Sequence, residues 1–356
     1  MSELGRLPLV GFKRSCRAGT QRLKIDAEVA VSSPAEVGEL SRKAEGFGFD
    51  CLWVNETKHD PFVQLAVAAT ATQRISLGTS IALAFTRSPT TLAYTGWDLQ
   101  GLSGGRFILG LGSQVKGHIE RRFGLRWEHP ASKMRDTILA IRAAWEAWRT
   151  GSKLDYKGKF YKIDLMTPFF SPGSEGKAAP VYVAGVNAGM CRVAGGVAEG
   201  LHVHPLHTVR YLREVVEPAV ETGLGRSGRE RKGFSVAASV FAAVGDNQAE
   251  IKGVREGYRQ QIAFYASTRT YRKLMELHGW GDVCDRLHEL TLRGDWGGLA
   301  EEVSDEMLDA FVVGGEWGEI GKEIQGRYEG LVDRVRVYLP FDGDERWKRL
   351  VDGFRA

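Results

Sequence analysis

The sequence predicts an α/β protein: a (β/α)8 barrel with a β-hairpin insertion after helix four and a helical insertion between helix seven and strand eight. Three observations predict it. Strand-length apolar runs alternate with helix-length amphipathic segments through most of the 356 residues, the rhythm of βα units and hence of a parallel sheet. The runs are nearly continuous, as in ISLGTSIALAF, RFILGLGS and PVYVAGV, the pattern of strands buried on both faces. Eight units follow one another with no point where strand order would reverse, which favours a closed barrel over an open doubly wound sheet.

Residues 1–21 read as an N-terminal extension, 22–340 as the barrel and 341–356 as a C-terminal tail. Strand one is LKIDAEVAV, 23–31. Ser32-Ser33-Pro34 then reads as an N-cap with proline in the first turn, and Gly48 closes the helix that follows. Strand two is FDCLWVN, 49–55, and it runs into the polar cluster 56–61. A short helix over 62–71 leads to strands three and four, the runs from Ile75 and Arg106, with a helix between them. A strong helix covers 131–149. The insertion 151–179 contains LDYKGKFYKID, a hairpin pattern. Strand five is 180–186, strand six 200–204 and strand seven 234–244, each followed by a helix. The second insertion, 266–308, is rich in Trp, Tyr and His and reads as a helical cap. Strand eight is placed at 310–313, the last helix at 316–329, and RVRVYL is read as a short edge strand.

Composition narrows the function. A hydrophobic share of 43% and a charged share of 26% suit a globular enzyme. A net charge of +4 without a Lys/Arg-rich run argues against nucleic acid while accommodating an anionic cofactor. Cys16, Cys51, Cys191 and Cys284 are far apart with no CxxC pair, so neither zinc nor a disulfide framework is expected and a reducing cytoplasm fits. No run is long enough for a membrane span or a signal peptide. GxSxG and P-loop motifs are absent, which removes support for hydrolase and kinase readings.

Ligands of such barrels bind at the C-terminal strand ends. Glu56 and His59, after strand two, are candidates for general acid and base work, since a carboxylate beside an imidazole tunes it towards neutrality. Asp60-Pro61 makes helix capping the alternative. Thr79, Ser80 and Ile81 in strand three, and Gly112, Ser113 and Gln114 after strand four, form a candidate cofactor wall. GLGS resembles part of a dinucleotide fingerprint but lacks the full GxGxxG and an acidic partner at the expected distance, so it gives a Rossmann reading weak support. The glycines there would let a flat ring approach the backbone, with close packing as the alternative. Gly185, Val186 and Asn187 stand where strand five turns into a helix, a place that favours phosphate. His202, His204 and His207 have no third ligand of convincing spacing, so no metal is expected; His202 is read as contacting phosphate or packed at the rim.

ISLGTSIALAFTRSPTTLAYTGWDLQGLSGGRFILGLGSQVKGHIERRFG, together with PVYVAGVNAG, GLHVHP and FYASTRTYRKLMELHGWGD, resembles the bacterial luciferase-like flavin and deazaflavin oxidoreductases. It is most similar to their actinobacterial branch that uses coenzyme F420. The resemblance spans about residues 22–340 and implies a TIM barrel with the cofactor ring lying against strand three. It also implies a non-prolyl cis bond at Ser80–Ile81, in a bulge that acts as a backstop for the ring. Gly112, Ser113 and Gln114 match the cofactor-contacting turn, and Gly185, Val186 and Asn187 fall near the phosphate-binding turn. Several F420-dependent relatives carry Asp-His at the end of strand two, where this chain has Glu56-Thr57 with His59 two positions on. The implied activity is hydride transfer between F420 and a small organic substrate, under a lid lined by Tyr271, His278 and Trp280. The alternatives are a reduced-FMN monooxygenase of the two-component type, which would need a flavin reductase as partner, and a non-catalytic flavin-binding barrel. A homodimer is expected from the same resemblance.

Overall fold

The structure is a computed structural model that describes residues 22–31 and 33–356; the extension 1–21 and Ser32 lie outside the described residues. Among the described residues there are twelve strands: β1 (Lys24–Val29), β2 (Cys51–Val54), β3 (Ser76–Thr79), β4 (Ala82–Leu83), β5 (Phe107–Gly112), β6 (Tyr156–Lys157), β7 (Lys162–Ile163), β8 (Val181–Gly185), β9 (Gly200–Val203), β10 (Ser235–Gly245), β11 (Val312–Glu316) and β12 (Arg334–Val337). Eight of them close a parallel barrel in the order β1-β2-β3-β5-β8-β9-β10-β12, with β12 returning to β1. The sequence-based fold class is what the structure has. β6 and β7 form the antiparallel hairpin, after helix Pro130–Thr150.

Strand eight is misplaced in the sequence reading. The closing strand is Arg334–Val337, the segment read as an edge strand, which pairs with β1 on one side and β10 on the other. The run read as strand eight contributes to β11, which pairs only with the upper half of β10, 241–245, outside the closed ring. The segment set apart as a tail carries helix Arg346–Arg355, whose Trp347, Leu350, Val351 and Phe354 are buried.

Local chemistry explains the helix starts. Ser33, Asp60 and Ser88 each cap a helix or turn opened by a proline, with side-chain oxygens accepting first-turn N–H groups. Gly48 ends helix Val37–Phe47 in the left-handed region. One large core lies between strands and helices, and a small separate one fills the barrel axis: Cys51, Trp53, Ile108, Tyr182 and Ala237. There Trp53 occupies the space left by Gly78, where an added Cβ would lie 2.3 Å from the ring.

Candidate active site

The inward-facing positions of β1 and β12 are charged. Asp26 accepts Arg334 Nε at 2.8 Å, Arg334 Nη2 at 2.7 Å and Trp53 Nε1 at 2.8 Å. Burial pushes the Asp26 carboxyl up, and the charge and hydrogen bonds of Arg334 pull only part of that back. One layer nearer the C-terminal rim, Glu28 Oε2 lies 3.0 Å from Arg336 Nε, and Glu28 Oε1 accepts Asn55 Nδ2 at 2.5 Å. Ser239 stands beside Arg336 in the register of β10 and β12. The second layer has unmet valences: Glu28 Oε2, Asn55 Oδ1, Ser239 Oγ and Arg336 Nη1 are buried without an aligned hydrogen bond. Buried polar atoms of a settled core are nearly all satisfied, so an arc of four is what a ligand or ordered water would complete.

The β3–β5 side of the mouth is the candidate cofactor wall. The Ser80–Ile81 peptide bond is cis. Thr79 Oγ1 donates to Gly110 O at 2.6 Å and accepts Gly110 N–H at 2.9 Å, and β4 pairs with Leu111 and Gly112. The two glycines are bare because this chain fills the space itself. A Cβ on Gly110 would lie 1.9 Å from Thr79 O, and one on Gly112 would lie 2.5 Å from Ile81 Cδ1. Both glycines admit close neighbours, Thr79 and Ile81, in line with the close-packing alternative. Ser113 Oγ donates to Gln114 O at 3.2 Å, and Gln114 sits at φ 54° with Trp127 Nε1 donating to its carbonyl at 3.3 Å.

Glu56 and His59 both stand on the loop that follows β2. Glu56 accepts Leu83 N–H at 2.7 Å and pairs with Arg87 at 2.7 Å. His59 sits partly exposed on the same loop.

The turn after β8 is tied to its neighbours. Gly185 packs close to Leu201, Val186 O accepts the Tyr211 hydroxyl at 2.9 Å, and Asn187 Nδ2 donates to Thr270 O at 3.1 Å. Asn187 Oδ1 is another buried atom without a partner. His202 stands edge-on to Trp53 at 4.6 Å, deep in the barrel, and burial with the nearby Arg336 and Arg334 charges holds it neutral. His204 lies at the rim between Tyr265 and Tyr271, at 4.6 and 4.9 Å between ring centres. Burial brings it down to about 3. Its Nδ1 accepts Leu206 N–H at 3.1 Å, which puts the proton of the neutral ring on Nε2.

Of the residues expected in a lid, Tyr271 packs on His204. His278 accepts from or donates to Thr208 Oγ1 at 2.8 Å and stacks on Trp280 at 4.5 Å, so both hold the loop that follows β9. Tyr265 and Tyr338 complete this side, their hydroxyls 2.7 Å apart.

Asn55 was legible as a polar residue at the end of strand two, whereas Asp26, Glu28, Ser239, Arg334, Arg336, Tyr265 and Tyr338 were missed by sequence reasoning. A signal existed for four of them. Asp26 and Glu28 in one apolar strand match Arg334 and Arg336 in another at the same alternate spacing. Chemically, the mouth offers a buried carboxyl–guanidinium pair, a setting for holding or moving a proton. Among the described residues no group of three or more His, Cys, Asp or Glu could hold a metal, and no helix is long and apolar enough to cross a membrane.

Comparison with known proteins adds four findings. The family model described as luciferase-like monooxygenase matches residues 14–334. The uncharacterized protein Rv1360 of Mycobacterium tuberculosis is 45% identical over 318 residues, 89% of this chain and 93% of that one. The putative coenzyme F420-dependent oxidoreductase Rv3520c of the same organism is 26% identical over 313 residues, 82% and 87% of the two chains. The fold matches the solved coenzyme F420 dependent tetrahydromethanopterin reductase of Methanopyrus kandleri with a TM-score of 0.74, at 22% identity and covering 94% of this chain and 98% of that one.

Proposed function

Because the chain belongs to the luciferase-like monooxygenase family, we propose that this enzyme transfers a hydride between coenzyme F420 and a small organic substrate. The observation that carries the reading is the mouth itself. The Glu28–Arg336–Asn55 cluster, with its unmet valences, stands in the same barrel mouth as the wall built from 79–83 and 110–114. The relative Rv3520c, putatively F420-dependent, supports the same cofactor.

A bound deazaflavin would supply the hydride chemistry. The chain's own residues would do the rest. Residues 79–83 and 112–114 would orient the ring, and the turn 185–187, ahead of helix Ala188–Val197, would offer first-turn N–H groups to a phosphate. Glu28 would hold or take the substrate proton at its carboxyl, with Asn55 fixing one oxygen and Arg336 countering the charge. His204 would stay neutral and donate from Nε2.

Binding followed by fluorescence with F420 and with reduced FMN tests the proposal. Micromolar binding of F420 is expected. Binding of reduced FMN alone, with oxygen consumption, would favour the second reading, a two-component monooxygenase, which the description of the matched family supports.

A further inference from the structure

We propose that Glu56 and Arg87 are positioning residues that lock the segment 80–83 to β2, and that Glu56 does not carry the reaction's proton. The functional part of this rests on the reading that 80–83 faces the cofactor.

Glu56 grips the segment twice. Its own N–H donates to Ile81 O at 3.2 Å, and its Oε2 accepts Leu83 N–H at 2.7 Å. Arg87 Nη1 then lies 2.7 Å from Oε2 and 3.0 Å from Oε1, so both carboxylate oxygens are engaged. The pair is well enclosed, with side chains 10% and 17% exposed. Arg87 extends the connection: its Nη2 donates to Asp60 Oδ2 at 2.7 Å, and its guanidinium lies over the Phe62 ring at 5.2 Å. Asp60 in turn caps helix Pro61–Ala71 through Phe62 N–H at 2.8 Å. On the far side of the loop, Arg122 Nη2 holds Thr57 O at 2.9 Å.

The chemistry fits placement better than proton transfer. A shielded ion pair adds little net stability, because desolvation offsets most of the attraction. What a guanidinium fork does add is fixed geometry. Here that geometry ends on two backbone groups of the ring-facing segment. Three of the roughly four acceptor sites of this carboxylate are taken by a cation and a backbone N–H, an arrangement that suits anchoring better than proton transfer.

The test uses the full-length protein with Glu56→Gln, Glu56→Ala and Arg87→Met. Amide hydrogen exchange across 79–88, read without any cofactor, reports the Leu83 N–H directly. Exchange should quicken about tenfold in Glu56→Ala, the scale of one charge-assisted hydrogen bond, and less in Glu56→Gln, which keeps an acceptor. Fluorescence titration should show the dissociation constant for F420 rising in the same order. The limbs of the pH profile of kcat should stay where they are in the wild type. Unchanged exchange in both Glu56→Ala and Arg87→Met would overturn the proposal. So would a Glu56→Gln enzyme with wild-type exchange and affinity that has lost one limb of its pH profile. If the wild type bound neither F420 nor FMN, the functional reading would fall while the exchange data still decided the clamp.

Discussion

Replacing Arg334 by methionine tests the charged barrel interior most directly. The substitution keeps most of the side-chain volume and strands Asp26, whose side chain is 1% exposed. Two of the three hydrogen bonds to that carboxyl disappear with the guanidinium, leaving only the one from Trp53. Breaking a buried pair from one side costs about 3–5 kcal/mol. With ~2.1 cal/mol/K per residue over 356 residues, the unfolding entropy is ~0.75 kcal/mol/K and the melting temperature should fall by about 4–7 °C. The sign of the pH dependence follows from the same carboxyl. Burial already raises Asp26 above its ordinary value of 3.8, and the Arg334 charge opposes that rise, so removing Arg334 raises it further. The folded variant then binds a proton more readily than the unfolded chain, and stability falls as pH rises through that window. The deficit against wild type should therefore shrink as the buffer is taken from pH 8 to pH 5. Asp26→Leu combined with Arg334→Met should recover most of the loss, leaving the Trp53 N–H unpaired at ~1–3 kcal/mol. Differential scanning calorimetry of the two variants decides it. A loss under about 2 °C, or one that deepens on acidification, would refute the reasoning.

Three further outcomes are expected. Gly110→Ala places a methyl 1.9 Å from Thr79 O and should cost ~1–3 kcal/mol or more in thermal unfolding, whereas Gly112→Ala meets the Ile81 side chain at Cδ1 and Cγ1, not backbone, and should lower the melting temperature less while weakening cofactor titration. Glu28→Gln should lower single-turnover rates by ~10²–10⁴-fold with the F420 dissociation constant held within about twofold. His207 is pushed down to about 4 by burial, so wild-type stability should fall as pH drops from 6.5 to 4 by roughly 3 kcal/mol from this residue. Urea unfolding of His207→Leu across that range should show a visibly flatter slope.

The barrel was legible because strands buried on both faces are continuous apolar runs, and β2, β5, β8 and β10 are of that kind. The closing strand was not. RVRV alternates charge with valine, the pattern of a half-exposed edge, yet here the arginines face the axis and find Asp26 and Glu28. An apolar run near 312 looked more strand-like and is a strand, but it lies outside the ring. The wall around Ser80–Ile81 was readable through resemblance. The partners of Glu56 were not, because Arg87 and Leu83 are a turn and a bulge away and only the folded chain brings them to one carboxylate.

β10 has one more consequence. Gly245, at its end, is the register partner of Glu316, so the chain between them departs from and returns to a single point on the molecule. The first part of that excursion is barrel wall: helix Gln248–Ala266 covers β10, burying Ile251, Ile262 and Ala263, and Tyr258 donates to Ala242 O and Tyr338 O. Ring closure itself runs through β12, so a change of length beyond that helix leaves the pair of ends at Gly245 and Glu316 in place.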